Sequence, residues 1–198
     1  MTNQNVDGKK IVTGLIQAEQ AIYDQLTELV GEDAKIAVQT IRQHAIISAT
    51  CGVAVVVPGA DLMAFVANTW TMYARINSAL DISLSKNALK SIATAVGTNV
   101  IAIIPGTVLG SVGGSILKAF PGLGTLGGMA VAGTTYYALS TVMGWIYLKA
   151  ITSLISSNKT INEENLKRAT QQASKDESFV KDAYNTAKSD YKERDEDN

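Results

Sequence analysis

The chain has a single cysteine, Cys51, and a single histidine, His44, among 198 residues. One cysteine excludes an internal disulfide, and one of each leaves too few ligands for a transition-metal site. The two stand seven apart on one helix face, without an orienting third group or an exposed thiolate. A Cys–His nucleophile is therefore rejected for a small buried hydrophobe and a helix-end histidine. No G-x-x-x-x-G-K-[ST] occurs, so this chain is not itself a P-loop GTPase or ATPase. An excess of one charge is also missing: 17 Lys and Arg meet 18 Asp and Glu, with a pI near 5.8. No broad nucleic-acid surface is expected from that balance. No signal peptide is read in the first forty residues, because Glu19, Asp24 and Glu28 interrupt the apolar stretch 11–30. No catalytic constellation appears, so neither an enzyme nor a bound cofactor is expected.

The largest deficit is of charge in the middle. Residues 45–148 hold only six charged side chains, Asp61, Arg75, Asp81, Lys86, Lys90 and Lys118, and the other 29 of 35 lie outside. All three prolines fall in this block, each in an apolar-Pro-Gly triplet: Val57-Pro58-Gly59, Ile104-Pro105-Gly106 and Phe120-Pro121-Gly122. Proline removes a helix donor, and glycine frees the backbone to reverse. A spanning helix needs about 20 apolar residues. Residues 129–148 supply an unbroken run and are the best span. Residues 91–117 are cut by Pro105-Gly106 into halves of about 20 Å of helix each. They read as a kinked crossing or as two short helices in a re-entrant hairpin. Residues 45–73 are cut by Pro58-Gly59 in the same way. The two breaks share a short internal match, Ala54-Val-Val-Val-Pro-Gly against Ile101-Ala-Ile-Ile-Pro-Gly.

Three segments follow. Residues 1–35 hold an amphipathic helix over 11–30, with Ile11, Leu15, Ala18, Ile22, Leu26 and Leu29 on its apolar face and Gly31 as C-cap. Its polar face is acidic, which favours packing on protein over a seat at a membrane interface. Residues 36–156 form the apolar helical domain, with Ser85 as an N-cap in the polar connector 75–90. Residues 157–198 hold a charged helix opened by the capping box Thr160-Ile-Asn-Glu163 and running to Tyr191, then an acidic tail. Its thin stripe of Leu166, Ala169, Ala173, Val180, Ala183, Ala187 and Tyr191 reads as a solvated helix with a partner face.

Gly122-Leu-Gly-Thr-Leu-Gly127 matches G-x-G-x-x-G. It follows no buried strand, and no carboxylate comes before Glu163, so a dinucleotide site is rejected. Gly106, Gly110 and Gly114 step by four, as do Gly124 and Gly128, the spacing that lets helix backbones approach in a membrane. Asp61 is the only charge between His44 and Arg75. It caps the helix after the Pro58-Gly59 break, pairs with Arg75 or Lys118, or serves as a proton or ion site. Asn68, Asn77 and Asn99 would be its hydrogen-bonding company. Trp70, Tyr73, Trp145 and Tyr147 near Arg75 and Lys149 suit an interfacial belt or core packing.

The block resembles domain-of-unknown-function family 697, a helical domain found after Era-like GTPase domains and in small membrane proteins of bacteria. The likeness covers about residues 44–151. It rests on Pro58-Gly-Ala-Asp61, Met72-Tyr-Ala-Arg-Ile-Asn77, a helix from Ser85, and Leu117-Lys-Ala-Phe-Pro-Gly-Leu-Gly-Thr-Leu-Gly-Gly128. It closes on Tyr137-Ala-Leu and Gly144-Trp-Ile-Tyr147. Lys118, Pro121, Gly122 and Gly124 are its most specific part. The resemblance implies a membrane-associated helical domain that works with a GTPase, and it carries no catalytic residues. This chain departs in having no GTPase domain and in Leu80-Asp81 where the family often has tyrosine-glycine.

The expected fold is all-α: a compact helical membrane domain with Pro-Gly-broken helices, an amphipathic helix before it and a charged helix after it. A mean hydropathy of +0.12 speaks for the competing soluble bundle. The expected function is a non-enzymatic membrane scaffold or adaptor, bound to lipid and to a protein partner such as a GTPase in trans. The alternatives are a small oligomeric pore or ion pathway using Asp61, and a soluble helical protein that binds an apolar ligand. The bacterial inner membrane is the expected location. Lys149, Lys159, Lys167 and Arg168 favour a cytoplasmic C-terminus.

Overall fold

A computed structural model describes residues 17–54, 60–104 and 126–196 of the chain, with side chains described outside 51–54, 60–63, 126–132 and 195–196. Pro58, Gly59, Pro105, Gly106, Lys118, Pro121, Gly122 and Gly124 lie outside the described residues, so the expected Pro-Gly breaks do too. Among the described residues there are seven helices and no strand: α1 (Gln17–Val30), α2 (Asp33–Ala54), α3 (Ala60–Ala79), α4 (Lys86–Ile103), α5 (Leu126–Ser156), α6 (Glu163–Ala173) and α7 (Glu177–Glu196). The all-α class is as expected.

α1 stops at Gly31, whose φ of +64° is the left-handed conformation a helix C-cap favours. The Gly31 N–H donates to the Thr27 carbonyl at 2.9 Å. The helix is rotated from the expected face. Glu19, Ile22 and Leu26 are buried, whereas Leu29 is exposed. The rotation sets Glu19 beside Arg42 of α2 in a shared cavity wall, so an acidic side chain takes a position the periodicity assigned to solvent.

α2 turns a line of small and branched residues inward: Ala34, Ala37, Val38, Ile41, Ala45 and Ala49. The alanines let α5 come close, and α2–α5 is the most extensive helix pair. At Gly144 a Cβ would lie 2.7 Å from Ile41 Cγ1 and 2.8 Å from Ile41 Cγ2. Glycine is therefore a packing requirement at that crossing. α4 begins as expected, with Ser85 Oγ accepting from the Ala88 N–H at 3.1 Å. It turns Leu89, Ile92, Ala93, Val96 and Val100 inward.

α5 lies at the centre and packs against all six other helices. Within it Gly133–Ser156 is long and apolar enough to cross a membrane, the one such helix among the described residues. Most of that stretch, 78%, is buried inside the protein.

The C-terminal region differs from its expected single helix. It breaks at Ser174–Asp176 into α6 and α7. Asn162, rather than Thr160, caps α6, accepting from the Asn165 N–H at 2.9 Å. Asp176 Oδ1 accepts from the Phe179 N–H at 3.2 Å and opens α7. The break lets two short stripes pack where one straight helix could not follow α5. Leu166 and Ala173 are buried from α6, and Phe179, Val180, Ala183, Tyr184 and Ala187 from α7.

Candidate functional site

α3 and α5 run parallel. The Phe65 and Tyr136 rings are 5.2 Å apart at one end, and Tyr147 donates to Asn77 Oδ1 at 2.8 Å toward the other. α2 runs opposite to both, and α4 returns opposite to α3 after a short turn. One end of the bundle therefore gathers the C-termini of α2 and α4 and the N-termini of α3 and α5. Within the helices at this end, 45–54, 91–103 and 126–148 carry no charge, and 60–74 carries only Asp61. Ile46 and Ile47 of α2 are exposed there, at 46% and 43%. The flanking charges Arg42, Arg75, Lys86, Lys90 and Lys149 begin where the neutral stretches stop. Trp70 sits at that boundary, half-buried, with the Lys86 and Lys90 ammonium groups 4.7 Å and 5.5 Å from its ring centroid.

Trp70 is the only one of the four candidate belt aromatics in such a place. Tyr73, Trp145 and Tyr147 are fully buried, which corrects the interfacial-belt reading. Tyr73 and Tyr147 stack with centroids 3.9 Å apart, and Tyr73 donates to the Met143 carbonyl at 3.1 Å. Burial pushes both phenols above their usual range, so each stays a neutral donor. These side chains join α3 to α5.

His44 is not at a helix end. It is buried in the middle of α2 and meets two residues of α3, Asn68 and Arg75. Asn68 Nδ2 donates to the His44 carbonyl and to Ser48 Oγ, both at 2.7 Å. Its two amide hydrogens are thereby used, and Oδ1 is left to accept from His44 Nδ1–H at 2.6 Å. Nε2 is then an acceptor and faces Arg75 Nη1 at 3.5 Å. Burial first, and the Arg75 charge after it, hold the His44 pKa below its ordinary value, against the opposing pull of Asn68. Ser48 and His44 are sealed from solvent. The arrangement fixes how α2 crosses α3.

The other candidates separate. Asp61 and Arg75 both lie on α3, and fourteen residues of helix put them about 21 Å apart, so Arg75 is out of reach of Asp61; Lys118, the other candidate partner, lies outside the described residues. Asp61 stands in the first turn of α3, and its side chain lies outside the described residues. The three asparagines offered as its company have other partners: Asn68 as above, Asn77 with Tyr147, and Asn99 with Ser174 Oγ at 2.8 Å. Gly128 is in the first turn of α5.

Where α1, α2, α5 and α7 meet, a cavity of about 20 Å³ is lined by Glu19, Arg42, Tyr137 and Asp190, among others. It has room for one water. Tyr137 donates to Asp190 Oδ2 at 2.7 Å, and burial together with that bond pushes its phenol far above the usual range. Among the described residues no three His, Cys, Asp or Glu side chains gather as a metal site.

The distinctive feature among the described residues is the neutral end. No family model matches the chain. No curated protein and no solved structure matches it either.

Proposed function

We propose that the protein is a membrane-associated scaffold without catalytic chemistry of its own, which seats the neutral end of its helical bundle in a lipid surface. The observation that supports this most is the exposure of Ile46 and Ile47 within the charge-free part of α2, above a boundary of Arg75, Lys86, Lys90 and Trp70. Apolar side chains facing outward beside a tryptophan and basic residues suit the step from acyl chain to headgroup. The resemblance to domain-of-unknown-function family 697 agrees with this reading, and the location proposed with it is the bacterial inner membrane. α5 serves as the core of the bundle, not as a lone crossing.

The partner side of the scaffold is the outward face of α7. Glu177, Asp182, Lys192 and Glu193 are exposed there, and the partner suggested by the resemblance is a GTPase in trans. Reversing Asp182 and Glu193 to Lys should reduce partner recovery without disturbing the buried face. Unchanged recovery would remove α7 as the docking arm.

Flotation tests the lipid reading. The full chain, prepared without detergent, is centrifuged with vesicles of phosphatidylcholine and phosphatidylglycerol. It is expected to float, and Ile46→Asp with Ile47→Asp should lower the bound fraction tenfold or more. Equal flotation of the double variant, with an unchanged helical spectrum, counts against the neutral end as the seat.

A further inference from the structure

Positive charge gathers unopposed where α3 turns into α4. Residues 62–162 hold six basic side chains and one acidic, Asp81. Two of the six, Lys86 and Lys90, stand four residues apart on α4, and both are exposed. Their ammonium groups lie 4.7 Å and 5.5 Å from the centroid of one ring, that of the half-buried Trp70. Attraction to the ring face favours each ammonium there, but like charges at that helical spacing repel. Among the described residues neither lysine meets a carboxylate, and Asp81 pairs with neither. The first turn of α4 holds no acidic residue, so the positive end of the helix dipole adds to the two charges. The Trp70 indole N–H makes no hydrogen bond among the described residues.

We propose that Lys86, Lys90 and the Trp70 indole bind the phosphate of an anionic lipid headgroup, so that the neutral end seats selectively in anionic membranes. This rests on the lipid reading above. A phosphate between the two ammonium groups takes charge-assisted hydrogen bonds from both and cancels their repulsion. The indole N–H is a further donor, of the kind that suits headgroup depth. Charge decides between lipids. Phosphatidylglycerol brings its phosphate with no cation attached. Phosphatidylcholine brings a quaternary ammonium as well, which the lysines repel. The favoured seat of that group, the indole face, is already held by the two lysines. The phosphate is a lipid's because the cluster adjoins the neutral end: Trp70 lies in the charge-free stretch 62–74, and Lys90 borders the charge-free stretch 91–103. A membrane that takes the neutral end brings its own phosphates to that level.

Flotation of the full chain reads the selectivity, with vesicles of phosphatidylcholine alone and of phosphatidylcholine with phosphatidylglycerol at sub-saturating lipid. Phosphatidylglycerol should raise the bound fraction about tenfold or more, each lysine counting for about fivefold. Lys86→Gln with Lys90→Gln should bring it down to the phosphatidylcholine level. Lys159→Gln with Lys175→Gln removes the same charge from exposed lysines elsewhere and should keep the preference. Equal binding of the wild-type chain to both compositions overturns this proposal and leaves the lipid reading standing. An equal loss in the Lys159 and Lys175 variant does the same, since overall charge would then account for the effect. Flotation on neither composition overturns both. Trp70 emission, read against Trp70→Phe, separates the sources of phosphate. It should change with phosphatidylglycerol vesicles and stay constant with glycerol phosphate at the same phosphate concentration. A saturable response to glycerol phosphate alone would overturn the assignment to lipid.

Discussion

At the residue scale the buried amide of Asn68 carries the most. It uses both hydrogens and its oxygen to hold His44 and Ser48. Asn68→Leu should leave those groups buried without partners and cost about 2–3 kcal/mol in urea unfolding. A cost below half of that would show the network to be dispensable. His44 adds a pH signature. Its folded pKa is held below the unfolded value, so the unfolded chain takes up the proton first. Stability should be level above about pH 6.5, fall as pH drops from there through the folded pKa, and flatten below it. Denaturation midpoints at pH 7.5 and 5.5 check the sign, and His44→Gln should remove the slope in that window. Asp176 acts lower. Hydrogen bonding from Lys149 depresses its pKa below 3.8, so its contribution is present above that value and is lost as pH falls through the folded pKa.

At the element scale α2 and α5 meet through missing side-chain volume. Gly144→Ala drives a methyl into the branch atoms of the buried Ile41 and should cost about 1–3 kcal/mol. Gly97→Ala meets only Met143, with Cε at 3.2 Å and Sδ at 3.8 Å, the end of a flexible side chain, and should cost clearly less. Equal thermal shifts for the two would contradict this account of the crossing. α7 depends on Phe179, buried with the Lys149 ammonium 4.4 Å from its ring centroid. Phe179→Ala should therefore cost about 3–5 kcal/mol. Several of these elements were readable in sequence. Gly31 and Ser85 are local signals and mark their helix ends correctly. Gly144 was visible only as part of a family-like string, because its role depends on Ile41 a hundred residues away. The break in the C-terminal helix was hidden for the same reason: Asp176 reads as one more charge until Lys149 stands opposite it. The burial of Glu19, in a cavity wall shared with α2, α5 and α7, could not be seen in the periodicity of α1 alone.

At the scale of the whole molecule the segregation of charge was legible at once, and it does set apart one end of the bundle. What sequence could not say was how the neutral residues share their surroundings. The best candidate span became the central helix, since six neighbours offered it more contact than one periodic stretch reveals. The candidate aromatics followed it inward, except Trp70. The neutral end, with Ile46 and Ile47 outward, is the part proposed to meet lipid. Site-directed spin labelling in a Cys51→Ala background tests that most directly, with one label at Ile47→Cys and one at Ser83→Cys in the α3–α4 turn. On phosphatidylcholine–phosphatidylglycerol vesicles the label at 47 should become accessible to oxygen and shielded from a water-soluble nickel chelate, while the label at 83 keeps its exposure to the chelate. Equal chelate exposure at both positions on vesicle-bound protein would contradict the account.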